Sequence, residues 1–246
     1  MDVVYPLSNM SKDRDDFELR YSLRSIWAYQ SWVKNVYLIG HKPKWAKNVI
    51  HVPCPDPYKY CKDANIINKL ILACTLPDLS DSFIVNSDDQ LFLRPVTEEE
   101  VLVPLLQNPC QMAEYRMKAG ANSWHRRVLD SIHYCHLNKA PEWVFQSHIP
   151  YAVNKLNYIQ TMCSLPWARG NGLVTHIYFN FSDTMWGTPP KEPTGYTARI
   201  KSNLSCNTIQ KALIPGFTYL NFNNDGLSLG MKEYLQQRFP QPSPWE

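Results

Sequence analysis

Residues 83–93, FIVNSDDQLFL, decide the fold of this chain. Phe83 begins an apolar run with strand character that ends in Asp88 and Asp89, after which the chain becomes apolar again. A buried strand that ends in adjacent carboxylates places two hard oxygen ligands at the carboxyl edge of a sheet, where open α/β sheets bind their ligands. Carboxylates beside a hydrophobic strand are costly to desolvate unless a cation lies against them. The segment therefore predicts a site for Mg²⁺ or Mn²⁺ carrying a diphosphate, with a simple turn cap at the two aspartates as the alternative.

The segments around this strand predict an α/β domain. Strands are expected over residues 2–7, 35–40, 49–54 and 82–86, and helices over residues 17–29 and 63–74. The apolar residues of the first helix recur on one face, and residues 35–40 form a continuous apolar run. The order strand, helix, strand, strand, helix, strand is typical of a largely parallel sheet flanked by helices.

The second half of the chain is more elaborate. Thr97 and the three glutamates after it match a helix capping box. Further helices are expected over residues 125–137, 151–162 and 229–239, and a short strand over residues 217–222. Because the sequence contains no internal repeat and no linker, we expect one domain over residues 1–246.

The composition is that of a globular protein, with 44% hydrophobic residues in 246. No apolar run reaches about eighteen residues, so no membrane span is expected. The first residues lack the basic and then apolar layout of a signal peptide. Seven cysteines are present, and they form no CxxC pair, which favours a reduced protein in the cytoplasm. The net charge of +3 is too small to indicate a partner by itself.

Two sets of polar side chains are candidates for contacts with phosphate or sugar. Lys62, Asn65 and Lys69 share one face of the second predicted helix. Arg20 and Arg24 lie one turn apart on the first helix, beside the carboxyl end of the first strand. That position suits guanidinium groups that clamp a diphosphate. Ordinary solvated surface is the alternative for both sets.

Residues 116–127, RMKAGANSWHRR, form a basic stretch without an acid. The cations are Arg116, Lys118, Arg126 and Arg127, and Trp124 lies among them. Cations beside an aromatic ring predict a surface that binds a polyanion by charge and stacking. A solvated loop is the alternative.

His148 and His176 each interrupt an apolar context. A metal held by two aspartates needs a further protein ligand or several waters, which one of these histidines could supply. A histidine could also serve as a base near the acceptor, and a satisfied core residue is the alternative. No carboxylate stands out as a general base, with Glu114, Asp130 and Asp183 as the candidates.

Several kinds of site are excluded by the sequence. It contains no G-x-G-x-x-G, G-x-x-x-x-G-K-[ST], G-x-S-x-G or H-E-x-x-H motif. With only nine glycines, the chain is a poor candidate for a loop that cradles phosphate. A diphosphate would therefore be neutralised by metal and side chains.

Several blocks of the sequence resemble the Stealth group of sugar-phosphate transferases. They are DVVY at residues 2–5, DDFELRYSLRSIWAYQSWVKNVYLIG at 15–40, FIVNSDDQLFLRPV at 83–96 and SHIPY at 147–151. Two departures are visible. PLSN follows the first block where that group continues in a TWVDG-like sequence, and Ser87 separates Asn86 from the two aspartates.

Almost the whole chain is similar to compact glycosyltransferases carried by tailed phages. The similarity includes the K-x-x-N-x-x-x-K helix at residues 62–69 and the closing segment from YLNFNNDGL to RFPQPSPWE. It implies a glycosyltransferase type A fold, with a Rossmann-like, mostly parallel sheet and an elaborated C-terminal half. It also implies a metal-dependent enzyme that moves a sugar from a nucleotide-sugar, a UDP-sugar above all, to an acceptor hydroxyl.

The resemblance distributes roles along the chain. Residues 1–96 form the nucleotide-sugar and metal half, and residues 97–246 the acceptor half. The expected donor contacts are Val3, Tyr5, Leu7, Arg20, Lys62, Asn65 and Lys69. The expected metal ligands are Asp88, Asp89 and His176. The expected catalytic residues are Asp89, His148 and Arg20. The expected acceptor contacts are Arg116, Lys118, Trp124, Arg126 and Arg127.

The acceptor expected from this resemblance is a 5-hydroxymethylpyrimidine in phage DNA, whose base must be extruded and stacked. A polysaccharide or other glycan is the first alternative. Sugar-1-phosphate transfer of the Stealth kind is the second, and a nucleic-acid-binding module without enzymatic activity is the third.

Overall fold

The structure is a computed structural model, which describes residues 1–8, 15–59, 61–108, 123–165, 172–182, 188–214 and 216–246. Arg116 and Lys118, two of the expected acceptor contacts, lie outside these ranges, as do Glu114 and Asp183.

The first half of the chain has the expected order of elements as far as the fourth strand, and the fifth strand is an additional one. They are β1 (Asp2–Leu7), α1 (Phe17–Tyr29), β2 (Val36–Gly40), β3 (Ile50–Val52), α2 (Lys62–Cys74), β4 (Ser82–Val85) and β5 (Gln90–Phe92). The second half begins with α3 (Glu98–Leu102), β6 (Leu106–Asn108), α4 (Ser123–Leu137), β7 (Val144–Phe145) and β8 (Tyr151–Asn154). It continues with α5 (Lys155–Cys163), α6 (Val174–Phe181), β9 (Thr197–Ile200), α7 (Cys206–Leu213), β10 (Tyr219–Phe222) and α8 (Leu229–Arg238).

The central sheet has five strands in the order β3-β2-β1-β4-β8. Strands β1 to β4 pair in parallel, and β8 runs antiparallel to β4 at one edge. A smaller sheet has the order β5-β10-β9, and β6 pairs with β7. The predicted α/β fold with a mostly parallel sheet is confirmed.

The central sheet is buried on both faces, which explains its continuous apolar strands. Val4 faces a cluster that includes residues of α2, α5 and α6. Its neighbours Val3 and Tyr5 face the opposite cluster, which includes residues of α1. This division follows from the pleat, because successive side chains of a strand point to opposite faces.

One predicted helix is wrong in its first part. Residues 151–162 were expected to be helical throughout, but Tyr151–Asn154 form β8 and the helix begins at Lys155. Asn154 caps that helix, since its Oδ1 accepts a hydrogen bond from the backbone N–H of Asn157 at 3.1 Å. The available edge of β4 explains the difference, because strand pairing overrides a local helical pattern when it completes a sheet.

Other elements differ less, or were not predicted. The strand expected over residues 49–54 is limited to β3. The elements without a sequence signal that we recognised are β5, β6, β7, α6, β9 and α7. The capping box at Thr97 is confirmed, with reciprocal hydrogen bonds between Thr97 and Glu100. Among the described residues, no helix is long and apolar enough to cross a membrane.

Candidate active site at the carboxyl edge of the central sheet

Asp88 and Asp89 lie in the turn between β4 and β5, at the carboxyl end of a central parallel strand. Asp88 Oδ1 accepts a hydrogen bond from the backbone N–H of Asp89 at 3.1 Å. Asn221 of β10 donates from Nδ2 to the carbonyl oxygen of Asp89, also at 3.1 Å. Both carboxylates keep partial solvent exposure although protein surrounds them on most sides. A ligand can therefore reach them from the partly exposed side, and the space on that side is called the cleft below.

The two carboxylates are in an unfavourable electrostatic position. Burial and the negative charge of Asp88 raise the pKa of Asp89 to about 7. Burial also raises the pKa of Asp88. Lys62, at the beginning of α2, is close enough to lower the pKa of both groups, but it does not offset their burial. A further cation at this point would relieve the repulsion between the aspartates.

The donor set fits a magnesium or manganese ion that arrives with a diphosphate. Such ions are bound by one or two carboxylates, with water and phosphate oxygens completing the coordination. Among the residues that the structure describes, no three His, Cys, Asp or Glu side chains come together as a metal site. The structure thus brings Asp88 and Asp89 together but does not add His176 to them as a preformed third ligand.

His176 lies inside α6 and is fully buried. Thr175 Oγ1 lies 3.2 Å from its Nδ1, and its Nε2 has no hydrogen-bond partner. Burial, together with the charges of Arg127 and His148, lowers the pKa of His176 to about 3. The imidazole is therefore neutral and belongs to the interior behind the acceptor side.

A buried polar network supports the aspartate turn from below. Asn86 Nδ2 donates to the hydroxyl of Tyr5 at 2.9 Å and to Ser22 Oγ at 3.2 Å. The Tyr5 and Ser22 hydroxyls share a hydrogen bond of 2.7 Å, and Ser22 Oγ donates to the carbonyl of Gln90 at 2.7 Å. Strands β1 and β4 and helix α1 are thereby tied to the residues that flank the aspartates.

Gln90 connects the aspartate turn to the acceptor side. Its Oε1 accepts from the backbone N–H of Ser87 at 3.4 Å, and its Nε2 donates to the carbonyl of Ser147 at 3.1 Å. The side chain is buried, with 3% of its surface exposed. Since His148 follows Ser147 directly, one amide fixes the position of the His148 loop relative to Asp88 and Asp89.

Of the expected acceptor residues that the structure describes, Trp124 packs against His148, and Arg126 and Arg127 lie on the same helix as Trp124. The rings of Trp124 and His148 lie 5.0 Å apart with a tilt of 31°. The guanidinium of Arg127 lies 5.7 Å from the centre of the Trp124 ring and forms an ion pair with Asp63 of α2. Arg126 is exposed on the same helix. Trp124, Arg126 and Arg127, the part of the stretch that the structure describes, thus combine an aromatic ring with cations on α4.

His148 itself is neutral. Burial lowers its pKa to about 3, and the charges of Arg199, Lys201 and Lys62 act in the same direction. Its backbone N–H donates to Gln146 Oε1 at 2.9 Å. A neutral imidazole retains one nitrogen that can accept a hydrogen bond from a hydroxyl group.

The stripe expected along α2 divides into three different environments. Lys62 is exposed, Asn65 is half-buried, and Lys69 is 1% exposed. The Asn65 side chain accepts from the backbone N–H of Tyr58 and donates to its carbonyl, both at 3.0 Å. Lys69 forms a buried ion pair with Asp56. Only Lys62 presents its charge to the cleft, while the other two fix the loop before the helix.

Val3, Tyr5 and Leu7 were expected to contact the donor. Val3 and Tyr5 are buried within the central strand, so their side chains support the cleft rather than line it. Leu7 is 6% exposed and lies at the carboxyl end of β1, opposite Gly40 of β2.

Arg20 is engaged by the last residue of the sequence. Its guanidinium forms an ion pair of 2.8 Å with Glu246 and lies 4.3 Å from the centre of the Trp45 ring. Arg24 binds the same carboxylate at 2.8 Å. Any contact between Arg20 and a donor phosphate would require Glu246 to release it.

Sequence reasoning did not single out Tyr5, Ser22, Asn86 and Gln90 as a connected group. The available signal was weak: Asn86 and Gln90 are polar residues that flank the aspartates within an otherwise apolar pattern. The aspartates themselves remain the strongest local signal of the site. Of the carboxylates considered as general bases, Asp130 is exposed on α4.

Solved glycosyltransferases share this fold. The galactosyltransferase LgtC, in complex with donor and acceptor sugar analogs, has a TM-score of 0.50 and 9% identity over 98% of this chain and 96% of its own. GlyE of Streptococcus pneumoniae TIGR4 has a TM-score of 0.50 and 9% identity, over 98% of this chain and 60% of its own. The bifunctional glycosyltransferase WbbM has a TM-score of 0.55 and 12% identity.

The chain spans half the length of WbbM, 50%, while all of it is aligned. No protein-family model and no curated protein matches the sequence. TM-scores of 0.50 to 0.55 at identities of 9 to 12% show a common fold and no more, and the predicted glycosyltransferase type A fold is confirmed.

Proposed function

We propose that this protein is a glycosyltransferase that moves a sugar from a nucleotide-sugar to an acceptor hydroxyl. The observation that carries the proposal is the position of Asp88 and Asp89 at the carboxyl edge of a type A sheet. Their raised pKa values indicate a site that requires positive charge. A nucleotide diphosphate with its metal ion supplies both the charge and the leaving group that this chemistry needs.

Asp88 and Asp89 would bind Mg²⁺ or Mn²⁺ in this proposal. When bound, the ion neutralises the diphosphate that departs as the glycosidic bond breaks. Lys62 adds a second positive charge on the same side of the cleft, because it already acts on both aspartates. His176 takes no direct part in this arrangement unless the cleft rearranges.

His148 would orient the acceptor. Its neutral imidazole accepts a hydrogen bond from the attacking hydroxyl and aligns it with the sugar carbon, while Gln90 fixes the loop. An imidazole with so low a pKa is a weak base, so its contribution is orientation more than proton abstraction. Arg20 would contact the donor only after a donor phosphate had replaced the Glu246 carboxylate as the partner of its guanidinium.

The preferred acceptor is a 5-hydroxymethylpyrimidine in DNA, with a UDP-sugar as donor. The ring pair of Trp124 and His148 supports this choice, because an extruded base needs a stacking partner. Arg126, exposed on α4, supplies positive charge for the strand, whereas the charge of Arg127 is paired with Asp63. The resemblance of the sequence to phage-type enzymes favours the same acceptor, and we propose that the reaction takes place in the cytoplasm of a host cell. A glycan is the second candidate, since LgtC, whose fold is shared, was solved with an acceptor sugar analog.

The test incubates the purified protein with Mn²⁺, a panel of nucleotide-sugars and duplex DNA that contains 5-hydroxymethylcytosine or 5-hydroxymethyluracil. Release of nucleoside diphosphate and the mass of the digested nucleosides are measured together. We expect a hexose on the modified base and loss of about 100-fold or more of the rate in Asp89→Asn. The matched control is Asp81→Asn, an exposed aspartate at the other end of β4, which should retain the wild-type rate.

The products separate the alternatives. Nucleoside diphosphate without a DNA adduct would retain the glycosyltransferase and replace DNA by a glycan acceptor. Nucleoside monophosphate would indicate sugar-1-phosphate transfer. Binding of DNA that ignores metal, nucleotide-sugar and the Asp89→Asn change, with no product, would indicate a binding module and refute the proposed activity.

A further inference from the structure

The small sheet places a row of polar residues beside the aspartate turn. Asn221 of β10 pairs with Gln90 of β5 on one side and with Arg199 of β9 on the other. Residues paired directly across a sheet project to the same face. Two members of the row already act at the site, since Asn221 donates to the carbonyl of Asp89 and Gln90 to that of Ser147. Arg199 therefore belongs to the same face.

Arg199 also lies next to the loop that leads to His148. Its Nη2 is 3.7 Å from Glu192 Oε2, and the same carboxylate oxygen accepts a hydrogen bond from Gln146. Lys201 follows two residues after Arg199, so it extends the same edge, and it is exposed. The carboxyl end of β9 thus brings two cations to the loop at residues 146–148.

A third cation acts on the same ring. The charges of Arg199, Lys201 and Lys62 all affect the His148 imidazole. Arg199 lies in β9 and Lys201 directly follows that strand, whereas Lys62 lies at the beginning of α2. Positive charges from two separate parts of the fold therefore lie near the ring that packs against Trp124.

We propose that Arg199, Lys201 and Lys62 form a phosphate-binding subsite for a polynucleotide acceptor, beside the His148 and Trp124 rings. This inference rests on the proposed function, adds Arg199 and Lys201 to it, and gives Lys62 a second role beside the one at the aspartates. A nucleotide combines a flat aromatic base with an anionic phosphodiester, which matches a ring pair bordered by cations. A neutral glycan offers no charge for three cations, and an anionic glycan offers no aromatic base for the rings.

The experiment measures binding of a fluorescein-labelled single-stranded oligodeoxynucleotide of about 12 nucleotides by fluorescence anisotropy. It uses the whole protein without nucleotide-sugar, over a series of salt concentrations. Lys201→Glu should weaken binding about tenfold and reduce the slope of log Kd against log salt by about one. The matched control is Lys211→Glu, which makes the same charge change at an exposed position of α7 and should stay within about twofold of wild type.

Two further probes decide the nature of the ligand. The same oligonucleotide with uncharged methylphosphonate linkages should bind no better to wild type than to Lys201→Glu. Equal losses in Lys201→Glu and Lys211→Glu, or strong binding of the uncharged strand, would overturn the subsite. Binding of an anionic oligosaccharide with the same dependence on Lys201, without binding of the oligonucleotide, would overturn the polynucleotide assignment.

Failure of this inference is distinct from failure of the proposed function. Nucleoside diphosphate release by the wild-type protein, measured without an acceptor strand, reports on the donor chemistry alone. If the wild type releases nucleoside diphosphate and Lys201→Glu binds the oligonucleotide as tightly as the wild type does, the subsite is refuted and the proposed transferase activity stands. Binding that depends on Lys201, without any product when acceptor DNA, the donor panel and Mn²⁺ are all present, supports the subsite and refutes the transferase.

Discussion

Replacement of Glu246 by glutamine should remove an ion-pair cluster that ties the end of the sequence to α1. The side chain is 5% exposed and lies 2.8 Å from both Arg20 and Arg24. Burial alone would raise the pKa of Glu246, but hydrogen bonds from Arg24, the backbone N–H of Ser243 and Arg20 lower it to about 2, from an ordinary value of 4.5. The ionised form is therefore the one that the fold stabilises.

The size of the effect follows from this pKa. Each pKa unit corresponds to about 1.4 kcal/mol, so the difference sets an upper limit of roughly 3.4 kcal/mol. Water reaches the rim of the cluster and screens these charges, which reduces the expected contribution to about 1–2 kcal/mol. Because the folded pKa lies below the unfolded one, this stability is present above pH 4.5 and is lost as the pH falls towards 2.

Urea unfolding of wild type and Glu246→Gln, measured between neutral pH and about pH 3, tests this reasoning. The variant should be less stable by about 1–2 kcal/mol at neutral pH, and more than half of that difference should disappear by about pH 3. Glu233→Gln, at an exposed position of α8, is the matched control and should follow the wild-type curve. Parallel stability curves for wild type and Glu246→Gln over the whole range would refute the argument.

Three further substitutions test individual contacts. Gly40→Ala should destabilise the protein by about 2–4 kcal/mol in thermal denaturation, because Gly40 has φ +107° and a Cβ there would lie 2.5 Å from Lys69 Cε. A loss of stability below about 1 kcal/mol would contradict this. Asp56→Ala should lower the free energy of unfolding by about 3–5 kcal/mol, because it leaves the buried ammonium of Lys69 without its partner. Addition of Lys69→Met should recover most of that loss, whereas additive losses in the double variant would argue against the pair. In Gln90→Glu, the new side chain cannot donate a hydrogen bond to the Ser147 carbonyl, so kcat should fall while the KM for nucleotide-sugar stays unchanged. If only the stability of the protein changed, Gln90 would have a structural role alone.

The elements of the first half could be predicted because local pattern and tertiary environment agree there. Helix α1 begins and ends at the predicted residues Phe17 and Tyr29, and β1 spans Asp2–Leu7 as expected. These segments bury the faces on which their apolar residues lie. The spacing of apolar residues along the sequence therefore matches the spacing of the residues that contact the core. At Tyr151–Asn154 the two disagree, because the partner of β8 is β4, which is distant in the sequence.

The ion pairs of the candidate site show why its side chains are harder to predict. Lys69 reads as a solvated lysine until Asp56 is placed beside it, thirteen residues earlier in the sequence. Arg20 reads as a phosphate clamp until Glu246 is placed on it, from 226 residues away. A pattern along one helix identifies which residues share a face, but the charge opposite that face comes from another segment.

For the aspartate pair too, the sequence identifies the residues, whereas their chemistry depends on the surrounding fold. Two adjacent acids after a strand were visible in the sequence, but an acid in a solvated turn has an ordinary pKa and no need for metal. The raised pKa of Asp89 arises because the turn is fixed in the cleft, and Asn86, Tyr5 and Ser22 fix it from below. Since those hydrogen bonds join β1, α1 and β4, the turn cannot move its carboxylates into water without breaking a buried network. The electrostatic environment that favours a cation at this turn is therefore a property of the whole fold, and the sequence of the turn alone could only suggest it.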